Sequence, residues 1–288
     1  MIISASYRTD IPAYFSAWFK AGLARQYVTV KNPYNNRESK VSLAPDDVDA
    51  YVFWTRNIAG FLAQLEDLHA AGIPFAIQYT VTGYPRALEQ ATPHWERAVE
   101  LIRVCAARYG KRAVVWRYDP IVLSSCTDAP FHRRNFARIA ANLSDAVDEV
   151  VVSFMEPYAK TRRNLDKASA AGGFTWHLPE QDERHDLLAD LSIMAENHAI
   201  RMTSCAQDGL PIAAAKCIDV DRLSDIAGRE IRARKKGNRA YCECAESRDI
   251  GAYDTCAQGC AYCYAVSSRQ VAVDGIQRIR PEDVTLAG

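Results

Sequence analysis

The chain carries no excess charge of either sign: 35 Lys and Arg balance 35 Asp and Glu, for a formal net charge of zero. A balanced chain projects no global field toward nucleic acid or a membrane surface. It has no stretch near the roughly 20 apolar residues of a membrane span. Its first residues, Met1 to Asp10, lack a basic segment followed by a long apolar run. They are expected to form a first strand, not a signal peptide. There is no internal repeat and no low-complexity tract. No P-loop and no G-x-G-x-x-G occur, which removes the two commonest phosphate-cradling loops. The six histidines show no metal-ligand spacing, and most are expected at the surface or at helix ends. A cytoplasmic, reducing setting is the expectation, and there clustered cysteines are more often metal ligands than disulfides.

What the chain does have is length, apolar content and cysteine. Its 288 residues are 49% apolar, enough for one large domain or a domain with an appendage. Strand-like runs recur at Met1–Ser6, Ala50–Trp54, Pro74–Val81, Ala113–Trp116, Glu149–Phe154 and Ile200–Ser204. Helical stripes alternate with them: Ile58, Phe61, Leu62, Leu65 and Leu68; Trp95, Val99, Ile102 and Cys105; Phe136, Ile139, Ala140 and Leu143; Leu187, Leu188, Leu191 and Met194. Ala13–Gln26 is a weaker helix started by Pro12. Strand–helix alternation predicts an α/β fold with parallel strands and right-handed crossovers. Six such units make a partial (β/α)6 TIM-like barrel, although a doubly wound sheet alternates in the same way. Tyr27–Lys31 and Lys40–Leu43 predict a hairpin inserted in the first crossover. Thr161–Trp176, basic and then Gly-rich, predicts a long loop. Beyond Cys205 the pattern weakens, with a short helix over Val220–Arg229 and a basic connector over Ile231–Gly237. The expected division is a barrel over 1–204 and a cysteine-rich metal-binding segment over 205–288, packed on the barrel mouth.

Polar groups collect where the apolar runs stop. The runs end in Tyr7-Arg8-Thr9-Asp10, Trp54-Thr55-Arg56-Asn57, Trp116-Arg117-Tyr118-Asp119-Pro120 and Met155-Glu156-Pro157. In parallel α/β folds the carboxyl ends of the strands share one face, and sites are built there. Arg8, Asp10, Arg56, Arg117, Asp119 and Glu156 are therefore expected to converge on one mouth, able to hold a carboxylate or phosphate together with a cationic group. The plainer reading of each residue is a loop brace or, for Asp10, a helix N-cap.

Seven of the nine cysteines lie in the last third: Cys205, Cys217, Cys242, Cys244, Cys256, Cys260 and Cys263. The last three read Cys256-Ala-Gln-Gly-Cys260-Ala-Tyr-Cys263. Three thiolates on one tight loop can ligate three irons of a [4Fe–4S] cluster and leave the fourth iron open. A closed zinc site takes four ligands, commonly in paired short spacings, and fits this trio less well. Cys205, Cys217, Cys242 and Cys244 leave three readings open: an auxiliary [4Fe–4S] cluster, a structural zinc, or core thiols. Cys105, on an apolar stripe, reads as a buried thiol.

The Cys256-x3-Cys260-x2-Cys263 spacing, with Tyr262 before the third cysteine, resembles the signature of the radical S-adenosylmethionine enzymes. The resemblance implies that S-adenosylmethionine chelates the open iron and is cleaved to a 5′-deoxyadenosyl radical. It places Tyr262 near the adenine and implies a reduced electron donor such as flavodoxin or ferredoxin. That family carries its motif after its first strand, whereas here it follows the last run. Either the chain is permuted relative to the family, or its tail folds back over the barrel mouth. No Gly-Gly-Glu follows the second run, which leaves the usual contact to the methionyl amine unassigned.

Ser6-Tyr-Arg-Thr-Asp10-Ile-Pro12, Phe53-Trp-Thr-Arg-Asn57, Trp116-Arg-Tyr-Asp-Pro120 and Asp249 through Tyr264 resemble the bacterial family named domain of unknown function 1848, nearly end to end. The expected site is thus Arg8, Asp10, Arg117, Asp119 and Glu156 for catalysis, Thr55, Arg56, Asn57 and Tyr262 for the cofactor, and the seven clustered cysteines for metal. A small-molecule substrate is expected over nucleic acid. Two other functions stay in view. One is an iron–sulfur electron-transfer or redox-sensing protein; the other is a zinc-stabilised nucleic-acid-binding protein.

Overall fold

The computed structural model describes residues 1–287. Its centre is a seven-stranded, all-parallel sheet. The strands, in chain order, are β1 (Ile2–Ala5), β2 (Tyr27–Lys31), β3 (Glu38–Ser42), β4 (Ala50–Thr55), β5 (Phe75–Thr80), β6 (Val114–Ile121), β7 (Leu123–Ser124), β8 (Glu149–Phe154), β9 (Trp176–His177), β10 (Arg201–Ser204) and β11 (Arg248–Asp249). The central sheet runs β10-β8-β6-β5-β4-β1-β11, and β2–β3 and β7–β9 form small antiparallel pairs. All six expected runs are strands of the central sheet. They lie side by side in chain order with no reversal, and the sheet is open, with β10 and β11 at its edges. The fold is α/β.

The helices are α1 (Ile11–Tyr14), α2 (Ser16–Arg25), α3 (Leu62–Ala70), α4 (Trp95–Tyr109), α5 (Ala129–Leu143), α6 (Ala159–Gly172), α7 (Gln181–Glu196), α8 (Val220–Ala227) and α9 (Arg269–Arg278). Alternation along each strand decides which face meets them. Ile3, Tyr51, Phe53, Ile77, Tyr79, Trp116, Tyr118 and Val152 point to one side and share a core with α1–α5 and α7. Phe136 of α5 packs against Trp116 with the rings tilted and their centroids 4.8 Å apart. The alternate residues Ile2, Val52 and Ala76 point to the other side and pack against Cys217, Ile218, Leu223, Ile231 and Cys244. The segment after β10 therefore covers the inner face of the sheet. A parallel sheet buried on both faces needs such a cover.

Buried charge helps to hold that cover in place. Arg222 of α8 reaches Glu149 Oε2 at 2.7 Å and Asp148 Oδ1 at 2.9 Å, at the entrance to β8. Arg222 and Glu149 are both buried. The basic connector folds into a bridge with the cysteine segment, Lys235 pairing with Ala245, and Glu243 and Glu246 neutralise Arg234, Lys235 and Lys236.

Two local expectations are corrected. Thr161–Trp176 is largely helical, because α6 spans Ala159–Gly172. Its charged residues lie mostly on the outer side, Thr161 and Leu165 are buried, and Gly173 in the left-handed region ends it. The helix over Ala13–Gln26 is two helices, broken at Phe15. His132, in the first turn of α5, is buried and hydrogen-bonded to Tyr118 Oη at 2.9 Å and to the Val122 carbonyl at 3.1 Å. Burial pushes its imidazole down to about 4, so it is neutral near pH 7. The hairpin in the first crossover is present as β2–β3. Cys105 is buried on α4, and its thiol is pushed up to about 12 by burial. No helix among the described residues is long and apolar enough to cross a membrane.

Candidate functional site

The cysteine loop begins where β11 ends. β11 pairs in parallel with β1, Ile3 opposite Arg248 and Ser4 opposite Asp249. The chain leaving β11 thus emerges beside the carboxyl end of β1 and delivers Cys256 to the mouth where the strand ends gather.

Two sets of contacts fix the loop there. The first is backbone pairing with the segment after β5: the amides of Gln90 and Ala91 donate to the Gly259 and Gln258 carbonyls, at 3.3 and 3.0 Å. The Ala261 amide donates to the Leu88 carbonyl at 2.9 Å. Gly259 has φ +71, and a Cβ there would stand 2.8 Å from Arg269 Cδ and 3.0 Å from Gln90 Cβ. Only glycine suits that position, which accounts for its place between Cys256 and Cys260.

The second set centres on Asp10. Its carboxylate caps α1 through the Ala13 amide at 3.0 Å, and accepts from Thr55 Oγ1 at 2.7 Å and the Arg56 amide at 2.9 Å. It also accepts from Gln258 Nε2 at 3.0 Å, inside the cysteine motif. Desolvation raises its pKa, opposed by these donors. Thr9 Oγ1 adds a bond to the Thr255 carbonyl at 3.0 Å. Asp10 thus ties β1, β4 and the cysteine loop at one point.

Arg56 is the cation of this mouth. Its Nη1 donates to Glu89 Oε1 at 2.8 Å and to Thr82 Oγ1 at 3.1 Å, and its Nη2 to Tyr262 Oη at 2.7 Å. Tyr262 Oη and Thr82 Oγ1 also donate to Glu89, and Thr92 Oγ1 adds a bond at 3.2 Å. Sequence reasoning missed Glu89. It sits in a segment without periodicity, and its partners come from far along the chain. Two features were signals: a lone acid between Leu88 and Gln90, and a threonine at the end of the β5 run.

The thiols of Cys256, Cys260 and Cys263 face low-dielectric surroundings. Burial pushes Cys260 up to about 12, opposed by Arg56, and raises Cys256 and Cys263 as well. The Ala265 amide lies 3.4 Å from Cys263 Sγ. All three cysteines are partly buried. As the side chains stand, no group of three or more His, Cys, Asp or Glu among the described residues could hold a metal ion.

The remaining candidates fall into separate places. Arg8 donates through Nε to Asp249 Oδ1 at 2.9 Å, and Asp249 also accepts from Ser4 Oγ at 2.7 Å and Ser6 Oγ at 2.8 Å. Arg8 thus fastens β11 to β1. Arg117 points to the inner face, where it donates to Gln78 Oε1 at 3.1 Å and to Cys217 Sγ at 3.0 Å, and pairs with Asp119. Asp119 also accepts from Ser153. Cys205, Cys217, Cys242 and Cys244 gather beside Arg117. Glu156 accepts from Gln207 Nε2 at 2.9 Å. Asn57 Oδ1 accepts from the Ala59 amide at 3.2 Å in the turn after β4. The structure thus brings Asp10, Thr55, Arg56 and Tyr262 to the Cys256–Cys263 loop, and Arg117 and Asp119 to the other cysteines.

Comparison with curated proteins and with solved structures finds no match. One family model does match, that of a domain of unknown function (DUF1848), over residues 2–265, nearly the whole chain. The chain, with its cysteine loop seated at the strand ends, belongs to that family.

Proposed function

We propose that this protein is a radical S-adenosylmethionine-type iron–sulfur enzyme, built on a partial α/β barrel and acting on a small molecule. The observation that carries the reading is topological. The strand that leads into the cysteine loop is the last in sequence but stands at the sheet edge, next to β1 and ahead of β4, β5, β6, β8 and β10 in spatial order. In space, then, the three-cysteine loop follows the first strand of the series, as it does in the enzymes whose motif it resembles. The likeness is that of a permuted chain. Unbroken spatial order, with helices on one face and the cysteine segment on the other, supports the open-barrel reading.

Cys256, Cys260 and Cys263 would hold a [4Fe–4S] cluster, and the donor set fits: three sulfurs, amide donors, and a glycine that admits the tight turn. When bound, such a cluster with one open iron supplies an electron to the sulfonium of S-adenosylmethionine. The chain's own residues do the positioning. Asp10 holds the loop against β1 and β4. Glu89 fixes the Arg56 guanidinium and the Tyr262 hydroxyl, so both stand rigidly beside Cys260, where they can meet the anionic and aromatic parts of a nucleoside. Thr55 and Asn57 shape the turn that carries Arg56. A flavodoxin- or ferredoxin-like reductant and a cytoplasmic setting complete the reading.

The test is anaerobic reconstitution followed by S-adenosylmethionine and reductant. The expected outcome is release of 5′-deoxyadenosine, with a cluster spectrum that changes when the nucleoside is added. A fully reconstituted protein whose spectrum ignores the nucleoside and which releases none would be an electron carrier, and the enzyme reading would be wrong.

A further inference from the structure

Four cysteines stand apart from the loop at Cys256–Cys263 and meet on the inner face of the sheet. Cys205 directly follows β10, Cys217 and Cys244 are buried, and Cys242 lies two positions before Cys244. The Sγ atoms of Cys205 and Cys217 are 3.6 Å apart. Cys217 and Cys244 belong to one buried cluster on this face, and Cys205 and Cys242 pack against it. Three separate stretches of chain thus bring four cysteines to one face of the sheet.

Nitrogen donors stand against three of these sulfurs. Arg117 Nη1 lies 3.0 Å from Cys217 Sγ, the Ile218 amide 3.4 Å from Cys244 Sγ, and Arg239 Nη2 3.6 Å from Cys205 Sγ. Neutral core thiols need no such donors, whereas thiolates do. The backbone is shaped around them too. A Cβ at Gly237 would stand 2.4 Å from the Cys242 carbonyl, so the turn opposite Cys242 accepts only glycine as it stands.

We propose that Cys205, Cys217, Cys242 and Cys244 form a closed, single-metal tetrathiolate site, holding zinc, that pins residues 205–246 to the inner face of the sheet. Distance decides between the kinds of centre. Zinc–sulfur bonds of about 2.3 Å set the sulfurs of a tetrahedron about 3.8 Å apart. The observed 3.6 Å is close to that edge. The ligand sulfurs of a four-iron cluster sit on separate irons and lie farther apart, so Cys205 and Cys217 stand too close together for two ligands of a second cubane. Four thiolates on a dication leave two negative charges, which Arg117 and Arg239 face. As placed, these side chains do not yet enclose an ion. Closing the set requires rotation about the Cα–Cβ bonds, with the backbone anchored by Gln78 Nε2 on the Cys217 carbonyl at 3.0 Å and the Lys236 amide on the Cys244 carbonyl at 2.9 Å.

The site is independent of the cluster proposed for Cys256–Cys263, and the experiment separates the two. The full chain, purified anaerobically, is assayed for zinc and acid-labile sulfide, and its zinc is examined by X-ray absorption. The expected result is about one zinc per chain, surrounded by four sulfurs at about 2.3 Å. Cys260→Ala keeps this zinc and holds no sulfide, while Cys242→Ser/Cys244→Ser loses the zinc. Should the double variant fail to fold, the absorption spectrum of the unaltered chain carries the test alone. Absence of zinc, zinc with nitrogen or oxygen ligands, or sulfide persisting in Cys260→Ala overturns the proposal.

Discussion

Glu89 draws together more of the mouth than any cysteine does. One carboxylate accepts from Arg56, Thr82, Thr92 and Tyr262, and it is buried. Removing one partner of a buried ion pair leaves the other charge uncompensated, which costs about 3–5 kcal/mol. Glu89→Gln should therefore lower stability by about 3 kcal/mol, read as a shift in the urea midpoint. A change below about 1 kcal/mol, the range of an exposed pair, would mean that Arg56 has another counter-ion. The cysteines, Arg56 and Tyr262 were legible in the sequence because residue type and short spacing mark them. Glu89 was not, since its role comes from partners as far off as Tyr262, which no local pattern encodes. Arg8 and Arg117 were legible as strand-end cations, yet each serves a different neighbour. Strand parity separates Arg117 from Trp116 and Tyr118 and turns it to the inner face.

At the scale of elements, the decisive piece is the pairing of residues 88–91 with residues 258–261. It has three backbone hydrogen bonds and depends on Gly259 at φ +71. Alanine at that position carries a left-handed backbone penalty of about 1 kcal/mol and a Cβ in contact with Gln90 and Arg269. Gly259→Ala should fold with unchanged far-ultraviolet dichroism but take up distinctly less iron on reconstitution. Full iron uptake would show that the loop finds its shape without this pairing. The longer strands and most helices were legible through periods of two and 3.6 residues. β11 was not, because two residues make no period. α6 was missed because a charged helix with only two buried residues shows little apolar stripe.

For the whole molecule, the strand order says more than any single element. Six strands lie in chain order, and the seventh, β11, returns from the far end of the sequence to flank β1. Alternation along the chain could announce the first six; only the folded arrangement reveals the return, because parallel pairing across more than 240 residues leaves no trace in local composition. That return places three sulfurs at the open end of the scaffold. It is also what joins the fold to the proposed chemistry. The most direct measurement is iron and acid-labile sulfide on the anaerobically purified full chain beside its Cys260→Ala variant. The account requires about four irons and four sulfides per chain, absent from the variant. Iron without sulfide, or a variant that retains the full complement of both, would contradict it.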